Sequence, residues 1–195
     1  EMDITQTITL ALIQGLTEFL PVSSSAHLVI LPKFLDWSDQ GLAFDVVLHF
    51  ATLCAIIFYY RSSLLSLTKD FYDSIATRKT QGESMLAWGI VLGTIPVGIV
   101  GLLFRESIEL NLRSYQVVAF ATIFFGLLLG FSDWLHRKFQ KSREYIRGSD
   151  ILIVGCFQAL ALIPGTSRSG ITITAALLIG LSRALSIKYA FLLSC

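Results

Sequence analysis

Residues 151–181 read ILIVGCFQALALIPGTSRSGITITAALLIGL, an apolar run that is broken in its middle. Residues 151–163 are apolar, Pro164 and the polar stretch Gly165-Thr166-Ser167-Arg168-Ser169-Gly170 interrupt them, and apolar sequence resumes over 171–181. Thirteen helical residues cover about 20 Å, short of the roughly 30 Å hydrocarbon layer of a bilayer. Proline ends the first half and biases its predecessor away from helix. The same pattern occurs near the start of the chain, where residues 4–20 run into Pro21 and Val22-Ser23-Ser24-Ser25 before apolar sequence returns over 28–35. Non-helical backbone at membrane depth survives only where protein buries it or a wet cavity receives it. Both regions are therefore expected to be re-entrant hairpins of two half-helices.

The composition agrees with a membrane setting. Of 195 residues 54% are hydrophobic and 15% charged, and the mean hydropathy is +0.69, against about 45–50% apolar and about 25% charged in soluble domains. Residues 85–104 and 115–135 read as plain spanning segments, and 42–60 as a third that carries Asp45 and His49 in its first turns. The fold class is an all-α polytopic membrane protein. A net charge of +1 excludes the basic stripe that nucleic-acid binding needs. Cys54, Cys156 and Cys195 lie in apolar runs and indicate no disulfide framework, and residues 1–6 lack the basic start of a signal peptide.

Setting Pro21 on Pro164 places Ser24 on Ser167, and an apolar segment follows each hairpin, beginning at Leu42 and near Ile187. The chain reads as an internal duplication, with a first repeat over 1–135 and the start of a second over 147–195. Interrupted apolar segments at matching places in two halves point to a binding site at the repeat interface. Nine of the fifteen Lys and Arg fall in two loops, 61–84 (Arg61, Lys69, Arg78, Lys79) and 132–150 (Arg137, Lys138, Lys141, Arg143, Arg147). Two spans separate these loops, so they share one face, the cytoplasmic one by the positive-inside rule. The halves then run in opposite directions and their polar tips meet near the midplane.

Gln14 and Glu18 are four apart on one helix face. A carboxylate in an apolar segment costs on the order of 2.5–3.5 kcal/mol, so Glu18 reads as functional. Ser23, Ser24 and Ser25 follow the break, where one of them is expected to cap the next half-helix, and His27 is placed to act as nucleophile or acid/base. Arg168 always carries its charge and needs an anionic partner, either Glu18 across the repeat interface or a ligand. The 165–170 loop opens a half-helix whose free amides and dipole favour an anion, with bidentate recognition of phosphate by the guanidinium. Together these groups point to phosphoryl chemistry at membrane depth. Asp45 and His49 read as an outward-facing local pair, residues 64–75 as a helix on the membrane surface, and Cys156 and Gln158 as packing.

With Gln14-Gly-Leu-Thr-Glu18-Phe-Leu-Pro-Val-Ser-Ser-Ser-Ala-His27 and Pro164-Gly-Thr-Ser-Arg-Ser-Gly170 quoted, the chain closely resembles the undecaprenyl-diphosphate phosphatases, the bacitracin-resistance family of bacterial inner membranes. The resemblance covers essentially the whole chain, including GTIPVGIVGLLF at 93–104. It implies removal of the terminal phosphate from a C55 polyprenyl diphosphate, which recycles the carrier for peptidoglycan and supports cell shape and bacitracin resistance. An inverted-repeat fold, a divalent cation (Mg2+ or Ca2+) and a site opening to the outer face are implied as well. Carried over by motif, Glu18, Ser24, His27 and Arg168 are the catalytic residues. Ser25, Thr166, Ser167, Arg168, Ser169 and Gly170 bind phosphate, and Glu18 with Gln14 holds the cation. Position 14 is Gln where many members have Glu, Ala26 stands for a common Gly, and members continue past the position of Cys195 for roughly two or three further spans of about 20 residues. The expected partners are the lipid diphosphate, the bilayer and a second copy of the chain.

Three routes stay open at this level: attack by Ser24 with a histidine base, attack by His27 through a phosphohistidine, and attack by an activated water. The rival is a lipid-phosphate transporter or flippase, since inverted repeats with broken helices are also the construction of carriers. Glu18 and His27 discriminate, because a carrier needs the anion site but not a carboxylate and histidine beside it.

Overall fold

A computed structural model describes residues 3–38, 40–80, 82–112, 114–139 and 142–194, and side chains throughout these except at 42, 105–107 and 109–111. Glu1, Lys141 and Cys195, which figure in the sequence reading, lie outside the described residues. The described elements are helical apart from one isolated bridge between Arg143 and Leu181.

The first hairpin is α1 (Ile4–Phe19) and α2 (Ser24–Phe34). Asp3 starts α1 by accepting the Ile4 N–H at 2.7 Å, and the chain leaves the helix at Leu20, which is extended before Pro21. Pro32 lies inside α2 and has no N–H to give the Leu28 carbonyl. Gln40 Nε2 donates to that carbonyl at 3.0 Å instead, so the helix survives its proline. Leu10, Leu28 and Leu48 form the small core that joins this hairpin to α3 (Gly41–Tyr59). At Tyr60 the chain bends by 76° into α4 (Arg61–Thr77), which covers the residues read as a surface helix.

Among the described residues, α5 (Ser84–Asn111) and α6 (Tyr115–Phe139) are the two helices long and apolar enough to cross a membrane, and the bent α3–α4 pair is a third such span if counted as one. α5 runs on through Pro96 and reaches seven residues past the predicted end. Only 22% and 17% of the apolar windows of α5 and α6 are buried. Leu102 and Leu127, 84% and 71% exposed, show the outward apolar surface of a protein solvated by lipid.

The second hairpin is α7 (Gly148–Ala159), a turn of 3-10 helix (Leu160–Leu162) and α8 (Arg168–Leu178), followed by α9 (Arg183–Ser194). α7 crosses α5 where two glycines meet: a Cβ on Gly155 would sit 2.8 Å from the Gly93 carbonyl oxygen, the small-residue contact by which membrane helices approach closely. Tyr189 of α9 is fully buried and donates to the Gly89 carbonyl at 3.0 Å. Around these contacts Leu86, Ile151, Val154, Ala175, Ala176 and Leu192 form the main core.

Both basic loops gather at one end of this bundle. Lys188 contacts Glu83 at the start of α5, Arg183 pairs with Asp133 at 2.6 Å, and Arg143 exchanges backbone hydrogen bonds with Gly180 and Ser182. The Arg143 guanidinium also holds the buried Asp150 carboxylate at 2.9 and 3.2 Å and donates to the Ile179 carbonyl. That hydrogen bonding raises the Arg143 pKa above its ordinary value and ties the loop to the second hairpin.

Candidate active site

Each hairpin break is capped by a serine in the same way. Ser23 Oγ accepts the Ala26 N–H at 3.3 Å and lies 3.1 Å from Ser25 Oγ. Ser167 Oγ accepts the Gly170 N–H at 3.2 Å and lies 3.1 Å from Ser169 Oγ. The structural equivalence is therefore Ser23 with Ser167 and Ser24 with Arg168, one residue away from the register that aligning the prolines predicts. The second break carries the extra residue, and Gly165 absorbs it at φ +94°. A side chain there would meet the Val118 carbonyl oxygen at 2.4 Å, and Thr122 of α6 donates to the Gly165 carbonyl at 3.1 Å.

The two breaks touch. A Cβ on Gly170 would come within 3.4 Å of the Pro21 carbonyl oxygen. Between them lies a polar pocket of about 120 Å³ lined by Glu18, Ser24 and Ser25 on one side and Thr166, Ser167, Arg168 and Ser169 on the other, with His49 and Ser194 at its edges. Ser194 ends α9, about 16 Å by helical rise from Arg183 at the basic end of the bundle. The pocket thus lies well along the bundle from its basic end.

Glu18 organises the first wall. Its Oε2 accepts from Ser24 Oγ at 2.5 Å and from Gln14 Nε2 at 3.3 Å, and His49 Nε2 lies 3.5 Å away. Gln14 is buried, and its Nε2 also donates to Thr52 Oγ1 at 3.2 Å. Thr52 spends its own proton on backbone carbonyls of α3, which fixes the amide face that Gln14 presents. On the second wall, Arg168 and Ser169 open α8, where their amides have no carbonyl within the helix to bond. Thr166 Oγ1 is buried and has no hydrogen-bond partner among the described residues. Nor does Arg168 pair there with any carboxylate among the described residues, so of the two partners the sequence allows, Glu18 is not the one in place.

Of the sequence-named residues, Glu18, Ser24, Ser25, Thr166, Ser167, Arg168 and Ser169 line this one pocket. His27 does not line it; its ring is exposed and its Nδ1 donates to the Ser23 carbonyl at 2.7 Å. His49 was read as one half of an outward pair and instead faces Glu18. Its Nδ1 donates to the Asp45 backbone carbonyl at 2.7 Å, while the Asp45 carboxylate accepts from Gln40 at 2.9 Å. Cys156, read as packing, is exposed on the apolar surface, whereas Gln158 is buried.

The donor set does not match a protein-built cation cage. Gln14 turns its N–H rather than its carbonyl oxygen toward Glu18, Glu18 Oε2 is surrounded by hydrogen-bond donors, and the described residues hold no cluster of three His, Cys, Asp or Glu. Magnesium takes oxygen ligands in octahedral geometry and relies on substrate phosphates where carboxylates are few.

Residues 7–195 match the family described as bacitracin resistance protein BacA. The chain belongs to this family. It is 59% identical over 193 residues to the undecaprenyl-diphosphatase of Ruthia magnifica subsp. Calyptogena magnifica, covering 99% of this chain and 73% of the relative. It is 55% identical to undecaprenyl-diphosphatase 2 of Stutzerimonas stutzeri and 53% to the undecaprenyl-diphosphatase of Campylobacter concisus, in each case over 99% of this chain and 72% of the relative. Membership in the BacA family, with the apolar helices described above, makes this a multi-pass integral membrane protein.

Proposed function

We infer that the chain is an undecaprenyl-diphosphatase, removing the terminal phosphate of undecaprenyl diphosphate in the membrane. The observation that carries the reading is the facing arrangement of the two breaks: a serine hydroxyl bonded to a carboxylate on one wall, an arginine and a helix N-terminus on the other. The names of the relatives supply the substrate. A carrier has no use for the Ser24–Glu18 contact, and nothing in the relatives' names favours that reading.

The terminal phosphate is held by Arg168, by the Ser167, Ser169 and Thr166 hydroxyls and by the first amides of α8. Charge on its oxygens develops against groups already oriented toward it. Ser24 Oγ attacks the phosphorus and passes its proton to Glu18 Oε2. The bond to the bridging oxygen breaks and undecaprenyl phosphate leaves. Water then attacks the phosphoserine and inorganic phosphate departs. Glu18 gives the serine proton to the departing bridging oxygen in the first step, takes a proton from the attacking water in the second, and returns that proton to Ser24 as the phosphoserine bond breaks.

Positive-inside orientation puts the two basic loops in the cytoplasm, and the depth of the pocket along α9 then opens it toward the outer face of a bacterial inner membrane. Pairing of two copies is proposed with it, to be checked by native mass spectrometry. Cysteines introduced at Ser38 and Ser142 are expected to label from opposite faces; labelling from one face would overturn the inverted arrangement.

The test of the reaction is phosphate release by this chain and by Ser24→Ala, together with the stereochemistry at a chiral terminal phosphate. Two displacements predict retention and loss of release in Ser24→Ala. Inversion, or an active Ser24→Ala, would overturn attack by serine.

A further inference from the structure

The groups around Glu18 are more ordered than a serine–carboxylate pair requires. We propose that His49 is a positioning residue for the reaction, holding Glu18 Oε2 against the Ser24 hydroxyl; this rests on the Ser24–Glu18 reading above.

His49 Nδ1 is 2.7 Å from the Asp45 backbone carbonyl oxygen. A carbonyl can only accept, so Nδ1 carries a hydrogen. The other nitrogen, Nε2, is directed at Glu18 Oε2 at 3.5 Å. At that separation the ring packs against the carboxylate and limits where Oε2 can move. The ring is thereby an anchor for the carboxylate, fixed at its far side to the backbone of its own helix.

The neighbours complete the anchor. Thr52, one turn along α3, donates to the His49 carbonyl at 2.9 Å and accepts from Gln14 Nε2. Gln14 in turn donates to the same Glu18 oxygen. Oε2 is thus approached by Gln14 from α1, by His49 from α3 and by Ser24 from α2. The arrangement of nucleophile, base and a third group that orients the base is the logic of hydrolase triads. Arg168, the cation lining the pocket, stands with the opposite break, so His49 acts on Glu18 and leaves the phosphate to the second wall.

The expected effect follows from positioning, where about 1 Å of misplacement costs on the order of 100-fold. His49→Ala is expected to lower kcat about 10- to 100-fold with KM within about 2-fold. His49→Gln, whose side chain can reach the same carboxylate oxygen, recovers most of that loss. In a Glu18→Gln background His49→Ala adds less than about 2-fold, because groups that act as a unit are not additive. Wild-type kcat in His49→Ala, or no recovery in His49→Gln, overturns the proposal. Activity retained in both Ser24→Ala and Glu18→Gln overturns the underlying reading instead.

A readout independent of turnover separates positioning from a packing role. The chain has three histidines, His27, His49 and His136, and 15N NMR resolves their ring nitrogens. Glu18→Gln is expected to shift the His49 Nε2 resonance and leave His27 and His136 unmoved. A His49 resonance indifferent to Glu18→Gln shows that the contact does not exist and ends the proposal.

Discussion

Glu18→Gln tests the division of labour in the pocket. The substitution keeps the shape of the side chain and removes its charge. Ser24 Oγ, 2.5 Å from the carboxylate oxygen, then faces an amide that cannot take its proton. A positioned general base contributes about 10²- to 10⁴-fold, which is about 2.7–5.4 kcal/mol of barrier at 1.36 kcal/mol per decade. Glu18→Asp probes the same contact by geometry. Its carboxylate is withdrawn by one C–C bond, ~1.5 Å, which takes it beyond hydrogen-bond reach of Ser24, so a loss of similar size is expected although the charge remains. Glu18→Gln should not destabilise the chain, since it removes a carboxylate that is itself costly in an apolar segment. The assay is inorganic phosphate release from undecaprenyl diphosphate in detergent, with thermal unfolding of each variant measured alongside. Loss of rate at an unchanged or raised midpoint supports the account. Glu18→Gln retaining a third or more of the wild-type kcat would refute the role of Glu18 as base.

Gly165→Ala should cost about 2–3 kcal/mol, from left-handed strain of about 1–2 kcal/mol and loss of the Thr122 hydrogen bond, because its Cβ would meet the Val118 carbonyl oxygen; denaturant titration in mixed micelles measures it, and an unchanged midpoint would contradict the strained turn. Arg143→Ala leaves the buried Asp150 carboxylate without its cation and is expected to lower stability by about 3–5 kcal/mol, which the same titration reads; a cost under about 1 kcal/mol would show that the pair is effectively solvated. Calorimetric titration of Mg2+ or Ca2+ into the lipid-free protein should show no stoichiometric binding tighter than about millimolar, the range of weak oxygen sites; a tight one-to-one cation would contradict the reading that the pocket builds no cage.

The fold was legible where backbone chemistry is unambiguous. Pro21 and Pro164, each followed by hydroxyls, announce their breaks because proline cannot continue the helix and serine can cap the next one. Pro32 and Pro96, which no hydroxyl follows, lie inside α2 and α5 without ending them there. At Pro32 the reason is visible in Gln40, which supplies the missing donor from twelve residues away. The register of the two breaks was not legible, because aligning prolines assumes breaks of equal length, and the additional residue is taken up by a left-handed glycine that only the packing of α6 requires.

The site divides in the same way. Glu18, Ser24 and Arg168 were visible as polar groups that an apolar setting must justify. His49 was hidden by its neighbour, since a carboxylate four residues away on the same helix is a sufficient local partner for a histidine. Only the docking of α3 on α1, through Gln14 and Thr52, turns the ring inward. The absence of an Arg168–Glu18 pair likewise depends on how far apart the two walls stand, which sequence spacing does not encode.

On the proposed mechanism, the second break holds a phosphate that the first break attacks. Phosphate release from undecaprenyl diphosphate by the wild-type chain and by Arg168→Ala tests it most directly, with folding of both verified by thermal unfolding. Removing a cationic contact to the transferring group is expected to cost at least about 10³-fold at an unchanged unfolding midpoint. Arg168→Ala releasing phosphate at the wild-type rate, or a folded wild-type chain that binds the lipid and releases none, would contradict the claim.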